Sequence, residues 1–328
     1  MSNGQPVSFL DATYRRIYPQ DFDFRRQAEA RLNQLTMPHW ALGDLMDLAI
    51  DLAGMTRSMH PPVARKCVVV MAGDHGVTAE GVSRYPAEVT TQMVHNIVRG
   101  GAGINALAHQ AGAEVRVVDM GAVDDFADLV RAGTIIAKKI GRGTANMVYG
   151  PAMTRTHAVM AVEAGIEVAN LLAPEVDLFG TGEMGIGNTT PSTAIAAVLT
   201  GRPVAEVTGR GTGIDDDQLR HKIGVVERAL ARNRPDPKDG LDVLAKVGGF
   251  EIGGDLQEDR LRRARGLRSG HAVEQCLERS LVLKRAQTRR VRRTDVHGQI
   301  IGERRHRRGA LCIVGDAVGA VLVCPDVD

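Results

Sequence analysis

A short apolar run, Val176-Asp-Leu-Phe179, leads into Gly180-Thr-Gly-Glu-Met-Gly-Ile-Gly-Asn-Thr-Thr190. A helix-like stretch, Pro191 to Leu199, follows it. Four glycines, one carboxylate and an Asn-Thr-Thr trio thus sit within eleven residues. A strand, a glycine loop and a helix in that order aim backbone N–H groups at an anion held at the helix N-terminus. Glycines let the backbone approach that anion with no Cβ in the way. The segment reads as a phosphate cradle with an acid beside it. It also commits this part of the chain to an α/β architecture.

The same order recurs along the chain. Cys67-Val-Val-Val-Met71 is a continuous apolar run of the kind buried on both faces of a parallel sheet, and it ends in Ala-Gly-Asp-His-Gly76. A second strand candidate, Glu114 to Asp119, closes on Met120-Gly121. Helical spacing is read over Pro86–Val98, Ile104–Gln110, Thr156–Leu172 and Asp215–Asn233. Alternating strands and helices imply a Rossmann-like α/β fold, a parallel sheet flanked by helices. In such sheets ligands sit beyond the carboxyl ends of the strands. Asp74, His75, Asp119 and the Gly180–Thr190 segment are therefore expected to converge.

Three segments are expected. Residues 1–60 are an N-terminal helical segment, with helices over 21–35 and 42–52 split by Pro38 and a boundary at Pro61-Pro62. Residues 61–254 form the α/β nucleotide-binding domain. Residues 255–328 are a divergent arginine-rich tail, with 15 Arg and one Lys against 10 acidic residues, although the whole chain nets only +2.

That small net charge gives no general case for nucleic acid or a membrane as partner. Aromatics make up 3% of the chain, too few for base-stacking platforms. No apolar run approaches the roughly 20 residues that span a bilayer. The four cysteines form no CxxC pair and no disulfide-like spacing, which fits a reducing, cytoplasmic setting.

The motifs admit rival readings. Gly180, Gly182 and Gly185 satisfy GxGxxG, the dinucleotide fingerprint. The acid that fingerprint wants about 20 residues on would be Glu206, in a segment with little strand character. No GxxxxGK[ST] P-loop is present. The glycines also suit a plain tight turn, and Asn188-Thr-Thr190 suits simple helix capping. Asp74-His75 is too little for a metal site, so no metal and no cofactor is expected. Lys222 reads either as a solvated lysine or as a phosphate contact, since its helix follows a second glycine loop, Gly209-Arg-Gly-Thr-Gly213.

Taken together, several segments resemble the nicotinate-nucleotide–dimethylbenzimidazole phosphoribosyltransferase family over about residues 66–254. They are Ala72-Gly-Asp-His-Gly-Val77, Gly81-Val-Ser-Arg-Tyr-Pro-Ala-Glu-Val-Thr-Thr-Gln-Met93, Gly100-Gly-Ala-Gly-Ile-Asn-Ala106, Gly182-Glu-Met-Gly-Ile-Gly-Asn-Thr-Thr190, Gly211-Thr-Gly-Ile-Asp-Asp216 and Asp242 to Phe250. The resemblance implies transfer of a phosphoribosyl group from nicotinate mononucleotide to 5,6-dimethylbenzimidazole. It implies a smaller helical domain built from both chain ends, and a homodimer. It places Glu183, Gly185, Gly187, Asn188 and Thr189 in the nucleotide and phosphate cradle and Lys222 on the phosphate. Tyr85, Gln92 and Met93 fall in the benzimidazole pocket.

Two departures accompany it. The family's Lys-Pro-x-Gly-x-Leu-Gly pattern is only partly kept in Met37-Pro-His-Trp-Ala-Leu-Gly43. The segment carrying the family's usual catalytic glutamate has no recognisable counterpart after Gly254. The catalytic base is therefore unknown, with Glu183 as a candidate contributor, and turnover by this chain is expected to be impaired. The alternative is a non-catalytic protein that binds nucleotide or base. The abrupt change of composition after Gly254 favours translation out of frame, the alternative being a divergent segment with another purpose.

Overall fold

The structure, a computed structural model, describes residues 8–255. All of the arginine-rich tail beyond Asp255 lies outside them.

Among the described residues, four parallel strands form one sheet in the order β3-β2-β1-β4: β1 (Lys66–Gly73), β2 (Ala113–Gly121), β3 (Ile135–Ala137) and β4 (Leu178–Met184). The central strand β1 explains why its sequence is apolar throughout. Cys67, Val69 and Met71 pack on one face against α7 (Arg155–Leu172) and α11 (Gly240–Val247). Val68, Val70 and Ala72 pack on the other against α4 (Val89–Val98) and α5 (Gly103–Ala111). A further apolar layer joins α8 (Thr189–Thr200), α9 (Val204–Val207), α10 (Asp216–Asn233) and α11. The short α6 (Ala127–Arg131) precedes β3.

Several helices begin where a side chain satisfies free N–H groups of the first turn. Asp215 and Gln218 form a reciprocal capping box on α10. Asp239 accepts from Leu241 and Asp242 at α11, and Thr154 accepts from His157 at α7. The acids that lead α10 also face the positive end of its dipole.

Ahead of the sheet lie α1 (Phe9–Arg15), α2 (Phe22–Asn33) and α3 (Asp44–Thr56). The last two pair through Ala28, Ile50 and Ala53, with Leu32, Trp40 and Met59 against them. Trp40 stands where the family pattern has its first glycine, and its φ is +50°. A tryptophan thus occupies a left-handed backbone conformation that favours glycine.

Strand β4 corrects the expectation from sequence. Its apolar run stops at Phe179, so Gly180 onward is expected as loop. The strand instead runs to Met184, in register with β1 from Lys66↔Leu178 to Ala72↔Met184. Glycine has poor strand propensity, but ladder pairing uses only the backbone, and the neighbouring strand decides. The loop shrinks to residues 185–188. Helix α8 then starts at Thr189, two residues before Pro191, which is tolerated in a first turn because its missing N–H would have no partner there.

Candidate functional site: the β4–α8 turn

Chain connections leave β1 toward β2 on one side, while β4 lies on the other. This is a switch point, where the loops after β1 and β4 part and leave a crevice at the strands' carboxyl ends. The turn after β4 crosses directly over the end of β1. A Cβ on Gly185 would lie 2.1 Å from the Gly73 carbonyl oxygen, so only glycine passes there. Gly187 has φ +86°, and a Cβ on it would also meet Thr78 at 2.7 Å. The turn is tied to α4 by the Ile186 N–H, which donates to Thr90 Oγ1 at 3.0 Å.

Two side chains from elsewhere complete it. Lys222, 1% exposed on α10, donates from Nζ to Thr189 Oγ1 at 2.7 Å and to the Gly209 carbonyl at 3.3 Å. The lysine is therefore buried at the N-terminus of α8, and the reading of it as a solvated residue is corrected. The Gly209–Gly213 loop closes over the same point, where a Cβ on Gly211 would be 2.8 Å from Thr189 Oγ1. Asn188 makes no side-chain cap on α8; its amide instead donates to Glu183 Oε1 at 3.4 Å. The capping reading of Asn188 is thereby replaced by a link to the neighbouring acid.

Glu183 lies at the end of β4 opposite Met71. Burial, followed by the nearby charges of Asp255 and Glu251, pushes its carboxyl from 4.5 up to about 8. A group so placed holds a proton at neutral pH. Glu251 itself is fully buried, with Oε1 2.7 Å from His75 Nε2. That approach is close but not aligned as a hydrogen bond.

Asp74 and Asp119 serve the frame. Asp74 Oδ2 accepts from the Val123 N–H at 2.8 Å. Asp119 accepts from the Ala122 N–H at 3.0 Å and pairs with Lys139 Nζ at 2.9 Å. Both brace the ends of β1 and β2. The three expected benzimidazole-pocket residues are near by sequence but differ in setting. Tyr85 is half exposed beside the second glycine loop, where the Arg84 N–H donates to Thr212 Oγ1 at 3.1 Å. Gln92 is exposed on α4, and Met93 packs against the core beneath it. Glu251, Asp255, Thr90 and Thr212 belong to this neighbourhood but were not expected from sequence. Only the glycine pair Gly248-Gly249 hinted that a tight packing site lay next to Glu251.

A glycine turn at the switch point of a parallel sheet, a helix N-terminus and a buried lysine suit an anionic ligand, and comparison supplies the class. Residues 17–255 match the phosphoribosyltransferase family model, and the chain belongs to that family. Its relatives narrow the choice. The nicotinate-nucleotide–dimethylbenzimidazole phosphoribosyltransferase of Syntrophotalea carbinolica is 63% identical over 248 residues, which is 76% of this chain and 70% of that protein. The enzyme of the same name from Desulfotalea psychrophila is 61% identical, with the same coverage of 76% and 70%. The crystal structure of CobT from Thermus thermophilus superposes with a TM-score of 0.69 at 41% identity, covering 79% of this chain and 80% of that one. This chain is a member of the nicotinate-nucleotide–dimethylbenzimidazole phosphoribosyltransferase family. The family match starts at residue 17, far ahead of residue 66, where the recognisable motifs begin.

Proposed function

We propose that the β4–α8 turn binds nicotinate mononucleotide and that the chain transfers its phosphoribosyl group to 5,6-dimethylbenzimidazole. The carrying observation is Lys222 Nζ bonded to Thr189 at the N-terminus of α8, beneath a glycine turn. An ammonium and a helix dipole meet there, and both favour an anion such as the 5′-phosphate. Gly185, Gly187, Asn188 and Thr189 would form the cradle and Lys222 would neutralise the phosphate. Glu183 sits beside them as a candidate contact for the nucleotide. Tyr85, Gln92 and Met93 would line the acceptor side.

The chemistry suits a site of this kind. The pyridinium nitrogen takes the electron pair of the N–C1 bond and departs neutral within nicotinate, while the incoming base must be held on the opposite face of C1 and lose a proton. Holding both reactants in line can supply about 7–11 kcal/mol in favourable cases. A base that takes the proton adds on the order of 10²–10⁴-fold.

The same reading divides the chain at residues 60 and 254, and it takes residues 255–328 as translated out of frame. It places the protein in the cytoplasm as a homodimer. Supporting it are the family's own architecture and a family match that ends at residue 255, where the composition changes. The sequence beyond that point lacks the family's glutamate-bearing motif, which favours a second reading: nucleotide binding with little or no transfer.

The test supplies nicotinate mononucleotide and dimethylbenzimidazole and measures nicotinate and α-ribazole 5′-phosphate. Product formation supports transfer. Saturable binding without product selects the second reading. Absence of nucleotide binding rejects both.

A further inference from the structure

Beneath the turn lies a pair that the proposed reaction does not use. His75, directly after β1, and Glu251, in the segment that follows α11, are both fully buried and meet at 2.7 Å. Three glycines make room for them. A Cβ on Gly73 would lie 2.6 Å from Glu251 Oε2. One on Gly249 would lie 2.6 Å from His75 Cε1 and 2.7 Å from Glu251 Oε2. One on Gly185 would lie 3.0 Å from His75 Nε2. The nucleotide turn therefore rests on the histidine ring, and the ring rests on Glu251.

A buried polar pair of this sort adds little net stability, because desolvation offsets the attraction; where it is retained, a role in selecting one geometry explains it better. Here the geometry selected is that of the turn. His75 is held from three further sides: its main chain bridges to Thr144 in the loop after β3, its carbonyl accepts from Thr78, and Asp74 beside it is fixed to Val123. A ring anchored in this way is a fixed floor for Gly185.

We propose that His75, backed by Glu251, is a positioning residue for the nucleotide cradle: it holds the Gly185–Asn188 turn in its binding shape without touching the nucleotide. This rests on the reading of that turn as the nicotinate mononucleotide site. Removing the ring would let the turn relax into the space it leaves, so affinity for the nucleotide would fall while the sheet and helices persist.

The experiment compares the full chain with His75→Gln, Glu251→Gln and the double variant, which leaves no uncompensated charge. Amide hydrogen exchange of residues 185–188 is measured without ligand, and the Kd for nicotinate mononucleotide by calorimetry. The expected result is at least tenfold faster exchange at 185–188 in His75→Gln, with β1 and β2 still protected, and about tenfold weaker nucleotide binding. Unchanged exchange at 185–188 in a folded variant overturns the proposal. Loss of the whole fold in all three variants also overturns it, since the pair would then serve global stability rather than the turn. If the parent chain binds no nucleotide, the functional reading fails, while the exchange measurement still decides whether His75 positions the turn.

Discussion

Lys222 on α10 reaches across to α8 and donates to Thr189 Oγ1 at 2.7 Å, with almost none of its side chain exposed. The two residues are 33 positions apart. The second glycine loop, through Gly209 and Gly211, packs over the contact. The α8 N-terminus, which the proposed function takes as the phosphate site, thus has a lysine amine fixed beside it.

Replacing that lysine tests it. Lys222→Ala is expected to lower kcat/KM for nicotinate mononucleotide by roughly 30–150-fold, the equivalent of losing a charged hydrogen bond of about 2–3 kcal/mol. Where transfer is too slow to follow, the same loss should appear in Kd. Unaltered kcat/KM and Kd would reject Lys222 as the phosphate contact.

Glu183 makes a prediction about pH. Its carboxyl is raised from 4.5 to about 8 in the folded chain, chiefly by burial. The folded state therefore holds a proton that the unfolded state has released, and the sign follows from linkage. Stability from this group is full below about pH 4.5, declines as pH rises, and is gone above about pH 8. Glu183→Gln mimics the protonated form, so its urea midpoint should fall less than the parent's between pH 5.5 and pH 8.5, on the order of 1 M less. Identical pH slopes would show that Glu183 titrates in its ordinary range.

Asp177 behaves in the opposite sense. Its buried carboxylate accepts from the Arg65 guanidinium and from the N–H groups of Ala64 and Arg65 at 3.0 and 2.8 Å, tying the starts of β1 and β4 together. The Arg65 side chain, first among the causes, holds its pKa below the usual range. Its contribution is present at neutral pH and is lost as pH falls through that lowered value. Asp177→Asn should cost about 1–3 kcal/mol at pH 7, read by chemical denaturation, and the cost should shrink in acid.

Gly187→Ala combines a left-handed backbone with a Cβ 2.7 Å from Thr78. It should cost about 1–3 kcal/mol and weaken nicotinate mononucleotide binding. Gly201 at the end of α8 has a similar φ, +63°, but open space around it. Gly201→Ala should therefore show the backbone cost alone, with nucleotide affinity kept. Equal affinity losses in the two variants would mean the effect is general destabilisation.

Translation out of frame has a direct check. The coding DNA past codon 254, translated in the other two frames, should show the family's missing motifs. Their absence from both frames would make residues 255–328 a divergent segment in its own right.

Much of the site was legible because its signals are local. The apolar run of β1 must be buried on two faces, and glycines crowded at a strand end must serve a close backbone approach; both follow from residue chemistry at short range. The chain order of strands and helices was enough for a parallel α/β sheet. What lay beyond reach was set by partners distant in sequence. Pairing with β1 turned Gly180–Met184 from loop into strand, because a ladder needs backbone and not propensity. Packing buried Lys222 beside the start of α8 rather than leaving it solvated. Packing brought Glu251 and Asp255 within electrostatic reach of Glu183 and moved its proton. The order of residues along the chain was enough to place a glycine-rich strand end, an acid and a helix start side by side. Which distant groups pack around that turn, Lys222 and Glu251 among them, was decided by the tertiary structure, because burial and long-range contact act only once distant segments meet.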